Sequence, residues 1–277
     1  MTRQTSRVKP ETAAQTTAAP PKRLGLALSG GAALGAAHIG VLQVLQAHGI
    51  QPDLVTGSSA GSAVGALLCA GVPPDQMVQV ALRLRWSRLG KVVRPRRGFF
   101  DGRRLEEYLV QLIGDLTFDQ LQIPLGVAAA DILTEELVIL HQGRVAPAVR
   151  ASCSVPGIFT PVEHGDRLLV DGGLINNLPV SAVRDMGADF VIAVDLSAPL
   201  VGARGAPTSL LDMWILTLAT LVRNVHREAE LADVIITPQV GEFNPADLSK
   251  IAVVIERGRE AAAEMLPRIL QGLDREG

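Results

Sequence analysis

Leu54-Val-Thr-Gly-Ser-Ser-Ala-Gly-Ser-Ala-Val-Gly-Ala-Leu-Leu-Cys-Ala70 is the stretch whose reading decides the fold. A short apolar run stops at Gly57, and small residues resume from Ala60 as a helix-forming segment. The unit upstream repeats the pattern. Leu24 to Leu28 reads as a buried strand that stops at Ser29-Gly30-Gly31, and Gly35 to Ala47 reads as a helix ending at Gly49. Strand, glycine turn, helix, twice over, predicts a right-handed parallel α/β unit. Leu125–Ala130, Leu137–Leu140, Leu168–Val170, Val191–Val194 and Val234–Ile236 are expected to continue the sheet. Further helices are expected near 103–113, 179–186, 209–231 and 254–271.

Gly57-Ser58-Ser59-Ala60-Gly61 is a G-x-S-x-G sequence placed between a strand and a helix. A nucleophile on so sharp a turn needs small neighbours, and here glycines stand two before and two after Ser59. The turn also sets Ser59 at a helix N-terminus, whose positive end favours a developing oxyanion. The Ala60 N–H is one candidate donor to it. Ser58 is the rival serine, and a plain Gly/Ser turn is the bland alternative. Ser29-Gly30-Gly31-Ala32-Ala33-Leu34-Gly35 offers exposed backbone N–H groups in the same way. Gly30-x-Ala32-x-x-Gly35 is also a damaged dinucleotide fingerprint. Its acidic partner would be Asp53, which precedes its strand rather than following it, so nucleotide binding is disfavoured.

A hydrolase of this kind needs a base. None of His38, His48, His141, His164 and His226 carries a catalytic signature, and each reads as structural or solvated. Asp131, Asp171 and Asp195 each end an apolar run, where catalytic groups gather in open α/β sheets. Asp131 and Asp195 read as caps or loop anchors. Asp171 stands apart because Gly172 and Gly173 follow it and permit a tight turn. As a base accepting the Ser59 proton directly, it would need its basicity raised by burial.

The remaining composition narrows the function. The chain has 277 residues, 48% hydrophobic, with a formal net charge of −2, so nucleic acid is not expected as a partner. Cys69 and Cys153 lie in no metal-binding spacing, and a reducing, cytoplasmic setting is expected, with no metal and no cofactor. Residues 1–21 read as a polar disordered tail and 22–277 as one domain. No stretch reaches the ~18 uninterrupted apolar residues of a membrane span. Two segments leave surface contact open. Arg83 to Arg104 carries nine basic residues against Asp101 alone, which suits either anionic lipid head groups or a solvated loop. Leu210 to Val222 is apolar enough to meet a membrane or a partner, and reads first as a buried core helix.

Taken together, four blocks resemble the patatin-like phospholipase family. They are the glycine-rich block Leu28 to Gly40, the elbow Gly57 to Gly61, the serine- and proline-containing block Ala151 to Pro161, and Asp171-Gly-Gly173 followed by Asn177-Leu-Pro-Val180. The resemblance implies a three-layer α/β/α sandwich with a mostly parallel central sheet. It implies Ser59 as nucleophile and Asp171 as base in a two-residue dyad without histidine, with oxyanion donors from Gly30, Gly31 and Ala32. The activity it implies is hydrolysis of acyl esters of lipids through an acyl-enzyme, while lipid or other acyl-ester substrates and peripheral contact with a membrane surface both stay open. One position departs from the family: Leu34 stands where an Arg or Lys often precedes the last glycine of the oxyanion loop. That departure is the sole sequence support for a non-catalytic lipid-binding or regulatory protein on the same fold. Oligomeric state is not readable.

Overall fold

The computed structural model describes residues 22–93, 97–197, 213, 214, 217, 220, 221 and 228–273. The expected tail, residues 1–21, lies outside them. The strands are β1 (Leu24–Leu28), β2 (Leu54–Ser58), β3 (Lys91–Val92), β4 (Gly98–Asp101), β5 (Leu125–Asp131), β6 (Glu136–Leu140), β7 (Gly157–Phe159), β8 (Val162–His164), β9 (Arg167–Asp171), β10 (Phe190–Val194) and β11 (Val234–Ile236). The helices with full bounds are α1 (Ala36–Ala47), α2 (Ala60–Cys69), α3 (Pro74–Leu82), α4 (Trp86–Leu89), α5 (Arg103–Ile113), α6 (Val145–Ser152), α7 (Val180–Asp185) and α8 (Ile251–Leu273).

The main sheet runs β11-β10-β1-β2-β5-β9-β8, with β6 on the other flank of β5. Its parallel core is β11, β10, β1, β2 and β5. Strand alternation sorts residues into two cores, because successive side chains point to opposite faces. Leu24, Leu26 and Leu28 of β1, with Phe190, Ile192 and Val194 of β10, enter the larger core with α1, α2, α3, α6 and α8. Ala27, Val191 and Ala193 face the other way and pack with Val180 and Val183 of α7. The result is the three-layer α/β/α sandwich expected, with its sheet mostly parallel.

Two expectations need correction. The sheet does not stay parallel past β5: β6, β9 and β8 are antiparallel. Loop length accounts for two of these three pairings. Four residues join β5 to β6 and two join β8 to β9, too few for the crossover that parallel strands demand. The stretch Leu210–Val222 also departs from a buried core helix where it is described. Met213, Trp214, Thr217, Thr220 and Leu221 are helical, and all are exposed. A small second sheet, β3-β4-β7, adds to the expected fold.

The tightest helix contact is between α1 and α8. A Cβ on Gly40 would strike the Ile255 carbonyl, and one on Gly258 would strike the Ala37 carbonyl. The two backbones therefore touch, each through the other's glycine. Neither neighbour can swing aside as a side chain could. Gly40→Ala and Gly258→Ala are each expected to cost about 1–3 kcal/mol through overpacking, read as a lower urea midpoint at unchanged m-value.

Candidate active site

The site is built where two strands meet end to end. β6 occupies one flank of β5, so β2 and β9 share the other. β2 arrives from one direction, with Ser58 opposite Ala128, and β9 arrives from the opposite direction, with Asp171 opposite Ala129. The carboxyl ends of the two strands converge, and the residues just there are Ser59 and Asp171.

Ser59 occupies the turn into α2 with φ 50° and ψ −120°, a left-handed conformation that a non-glycine residue adopts only under constraint. Its neighbours explain the constraint. A Cβ on Gly57 would lie 2.6 Å from the Gly61 backbone, and one on Gly61 would strike the Leu28 carbonyl. The Ser59 N–H donates to Ser152 Oγ (2.8 Å), and the Ser152 hydroxyl donates to the Ala128 carbonyl (2.6 Å). Ser152, fully buried at the end of α6, thus pins the strained residue to β5. Ser58 is placed differently: its hydroxyl is buried without a partner among the described residues, and a Cβ on Gly172 would lie 3.0 Å from it.

Asp171 is buried beside Ser59. Its N–H donates to the Ser154 carbonyl (3.0 Å), and its Oδ1 accepts from Gly173 N (2.9 Å). Burial pushes its carboxyl up to about 6 from an ordinary 3.8, while hydrogen bonding from the Ser59 side chain and the Gly173 N–H restrains the rise. The glycine directly after it is needed for approach. A Cβ on Gly172 would strike the Ala128 carbonyl and lie 3.0 Å from Ser58 Oγ.

Among the described residues, the N–H groups of Gly31, Ala32 and Ala60 make no backbone hydrogen bond. Ala32 has φ 49°, which turns this loop sharply. Gly30 differs, and here the expectation is corrected: its N–H is committed to the Asn177 carbonyl at 3.1 Å, which removes it as a free donor. Leu34 is 4% exposed and belongs to the larger core, so its side chain does not face the site.

The other candidates fall elsewhere. Asp131 Oδ1 accepts from Leu133 N (3.1 Å) and Leu168 N (3.2 Å), anchoring the β5–β6 turn. Asp195 Oδ1 accepts from Ser197 N (2.8 Å). Asp53 Oδ2 accepts from Leu24 N (2.7 Å) at the far end of the strands, which ends its candidacy as a ribose ligand. His38 is buried with its Nε2 2.8 Å from the Ser29 carbonyl. Burial lowers its pKa to about 4 against the opposing pull of that hydrogen bond and of Asp195, so it stays neutral and braces the loop. His226 lies outside the described residues. Sequence reasoning assigns no role to Ser152, Ser154 or Asn177, although all three lie in or beside the family-like blocks. It also misses that Cys153 sits against Ser59, Ser62 and Asp171. Burial, then the Asp171 charge, push that thiol up to about 12, so it is a neutral neighbour rather than a second nucleophile.

A three-layer sandwich with a strained serine on a strand-to-helix turn defines an α/β protein of the nucleophile-elbow class. Within it the chain belongs to the patatin-like phospholipase family, whose sequence model matches residues 26–184. It is 31% identical over 261 residues to an uncharacterized NTE family protein of Mycobacterium tuberculosis strain H37Rv, covering 88% of this chain and 45% of that one. It is 34% identical over 185 residues to the neuropathy target esterase sws of Drosophila melanogaster, covering 63% of this chain and 13% of that one. The chain thus spans less than half the length of either relative. The crystal structure of VipD from Legionella pneumophila shares the fold, with TM-score 0.55 at 14% identity, covering 90% of this chain and 67% of that one.

Proposed function

We propose that this chain is a serine acyl-ester hydrolase acting on lipids. The observation that carries the reading is the pairing of Ser59, strained on its elbow, with a buried Asp171 whose carboxyl sits near 6. A carboxylate with that basicity can take the hydroxyl proton as Ser59 attacks an ester carbonyl. The tetrahedral oxyanion is received by the N–H groups of Gly31, Ala32 and Ala60, each worth about 3–4 kcal/mol by analogy with known oxyanion donors. Collapse expels the alcohol, which takes the proton from Asp171, and leaves an acyl-Ser59 ester. Water, deprotonated by Asp171, then attacks the acyl-Ser59 ester, and as the C–O bond to Ser59 breaks Asp171 returns the proton to Ser59 Oγ, releasing the acid and restoring the free enzyme. Family membership supports the lipid class. The reading needs no histidine, and no described histidine bonds to either residue.

Leu34 does not favour the non-catalytic alternative. Its side chain is core, and the backbone donors around it do not depend on its identity. Covalent labelling tests the proposal directly. A fluorophosphonate probe is expected to label wild type, with the adduct on the peptide carrying Ser59 by mass spectrometry. Labelling on any other serine, or none on folded protein, would sink the assignment.

A further inference from the structure

We infer that the described residues 82–93 and 97–104, together with the exposed helical side chains of Met213, Trp214 and Leu221, form a docking surface for an anionic lipid bilayer. The inference rests on the lipid-hydrolase reading and names the surface from which substrate is drawn.

Charge and apolar exposure coincide here. Nine basic residues stand between Arg83 and Arg104, in a chain of net charge −2. Arg83, Arg85, Arg88 and Lys91 are exposed and pair with no carboxylate among the described residues. Between them stand large apolar side chains open to water: Trp86 is 42% exposed, Val92 73% and Phe99 47%. Nucleic acid would reward the charge but not the exposed Val92 and Leu82. A bilayer rewards both, because cations meet lipid phosphates while apolar groups enter the interface. The 213–221 stripe adds Met213, Trp214 and Leu221, all exposed and falling with Thr217 and Thr220 on one side of a helix. Trp86 also lines an open cleft of about 510 Å³ of mixed character, whose walls include Leu82, Arg85, Ser87, Leu248 and Ser249.

The surface is tied to the site by two short routes. Trp86 Nε1 donates to the Ala246 carbonyl (2.9 Å), while the adjacent Pro245 carbonyl accepts from Ala33 N (2.9 Å) in the oxyanion loop. Trp214 Nε1 donates to the Pro156 carbonyl (3.0 Å). Pro156 lies between Ser152 and Ser154, which hold Ser59 and Asp171, and β7, which pairs with β4. Landing this surface on a bilayer therefore fixes the orientation of the loops that carry the site.

Both tryptophans of the chain lie on this surface, so their emission reports on it alone. The test uses Ser59→Ala, so that binding is read without hydrolysis. Vesicles are phosphatidylcholine, with or without about 30 mol% phosphatidylglycerol. Expected is partitioning at least about tenfold stronger on the anionic vesicles, released by about 0.5 M NaCl. A blue shift of emission and quenching by brominated acyl chains accompany it. Arg83→Glu/Arg85→Glu/Arg88→Glu weakens binding roughly a hundredfold or more, since each basic residue contributes about a factor of five. In a Ser59 background the same triple variant keeps soluble-ester hydrolysis within about twofold, because none of its residues touches the site. Equal binding to both vesicle types, unshifted tryptophan emission on bound protein, or full binding by the triple variant would overturn the inference. So would tight binding of a DNA duplex without vesicle binding. Vesicle binding by a wild type inert on soluble esters would leave the surface standing while the hydrolase reading falls.

Discussion

Ser59→Ala and Asp171→Asn are each expected to lower kcat for a medium-chain p-nitrophenyl ester by roughly ten-thousandfold or more, with KM little changed. The loss corresponds to about 5 kcal/mol or more of transition-state stabilisation. Ser59→Ala removes the hydroxyl proposed to form the acyl bond. Neither neighbour can replace it: the Ser58 hydroxyl is buried against Gly172, and the Cys153 thiol is held protonated by burial and by Asp171. Asp171→Asn keeps the shape and an acceptor for the Gly173 N–H, but it cannot take a proton. Because the two residues act as one unit, the double variant should be scarcely worse than either single one. A Ser59→Ala protein retaining more than about a tenth of wild-type kcat would place the chemistry elsewhere. Activity retained by Asp171→Asn alone would leave the serine and remove the dyad.

Much of this candidate site is legible in the sequence, though not always for the right reason. Context singles out Ser59, since a serine flanked by glycines between a strand and a small-residue helix suits a nucleophile turn better than a plain loop. Asp171 is legible because it ends an apolar run before two glycines. The rule behind that choice concerns parallel strands, and β9 is antiparallel. What delivers Asp171 is the head-on meeting of β2 and β9 beside β5. That depends on two hairpins whose direction no short apolar run encodes. The oxyanion loop is legible as a set of small residues. The commitment of the Gly30 N–H to Asn177, 147 positions away, is not, because local sequence does not name long-range partners.

The elements missed have separate causes. α6 contains Pro147, a residue that argues against helix, yet it falls in the first turn, where the missing N–H has no helical partner to lose. The β3-β4-β7 sheet has strands of two to four residues, too short to show alternation. Met213, Trp214 and Leu221, all exposed, read as core because apolar composition alone does not separate a buried helix from one that turns apolar side chains outward. Ser152 is the most instructive case. It shows no sign of function in sequence, yet it is the hydroxyl that holds the strained elbow to β5.

Asp171→Asn is also expected to stabilise the fold at neutral pH, by up to about 3 kcal/mol. The carboxyl lies near 6 in the folded chain and near 3.8 when exposed, a displacement caused first by burial. The folded state therefore binds this proton more tightly than the unfolded state does. The favourable contribution is fully present below about pH 4 and is lost as pH rises through about 6, beyond which the buried charge works against folding. Asparagine carries no such charge and keeps the Gly173 hydrogen bond, so the variant should lose this pH dependence along with the penalty. Wild-type kcat/KM should move the opposite way, rising with pH through about 6 as Asp171 ionises and becomes able to accept the Ser59 proton. Urea unfolding of both proteins between about pH 4 and 8, beside a pH–rate profile of wild type, checks the two together. Equal stability of the two proteins across that range would mean that Asp171 is not held in a penalised state. An acid limb far below 6 would say the same of its role as base. If both hold, the residue that makes the reaction possible near neutral pH is also one that the fold would be more stable without.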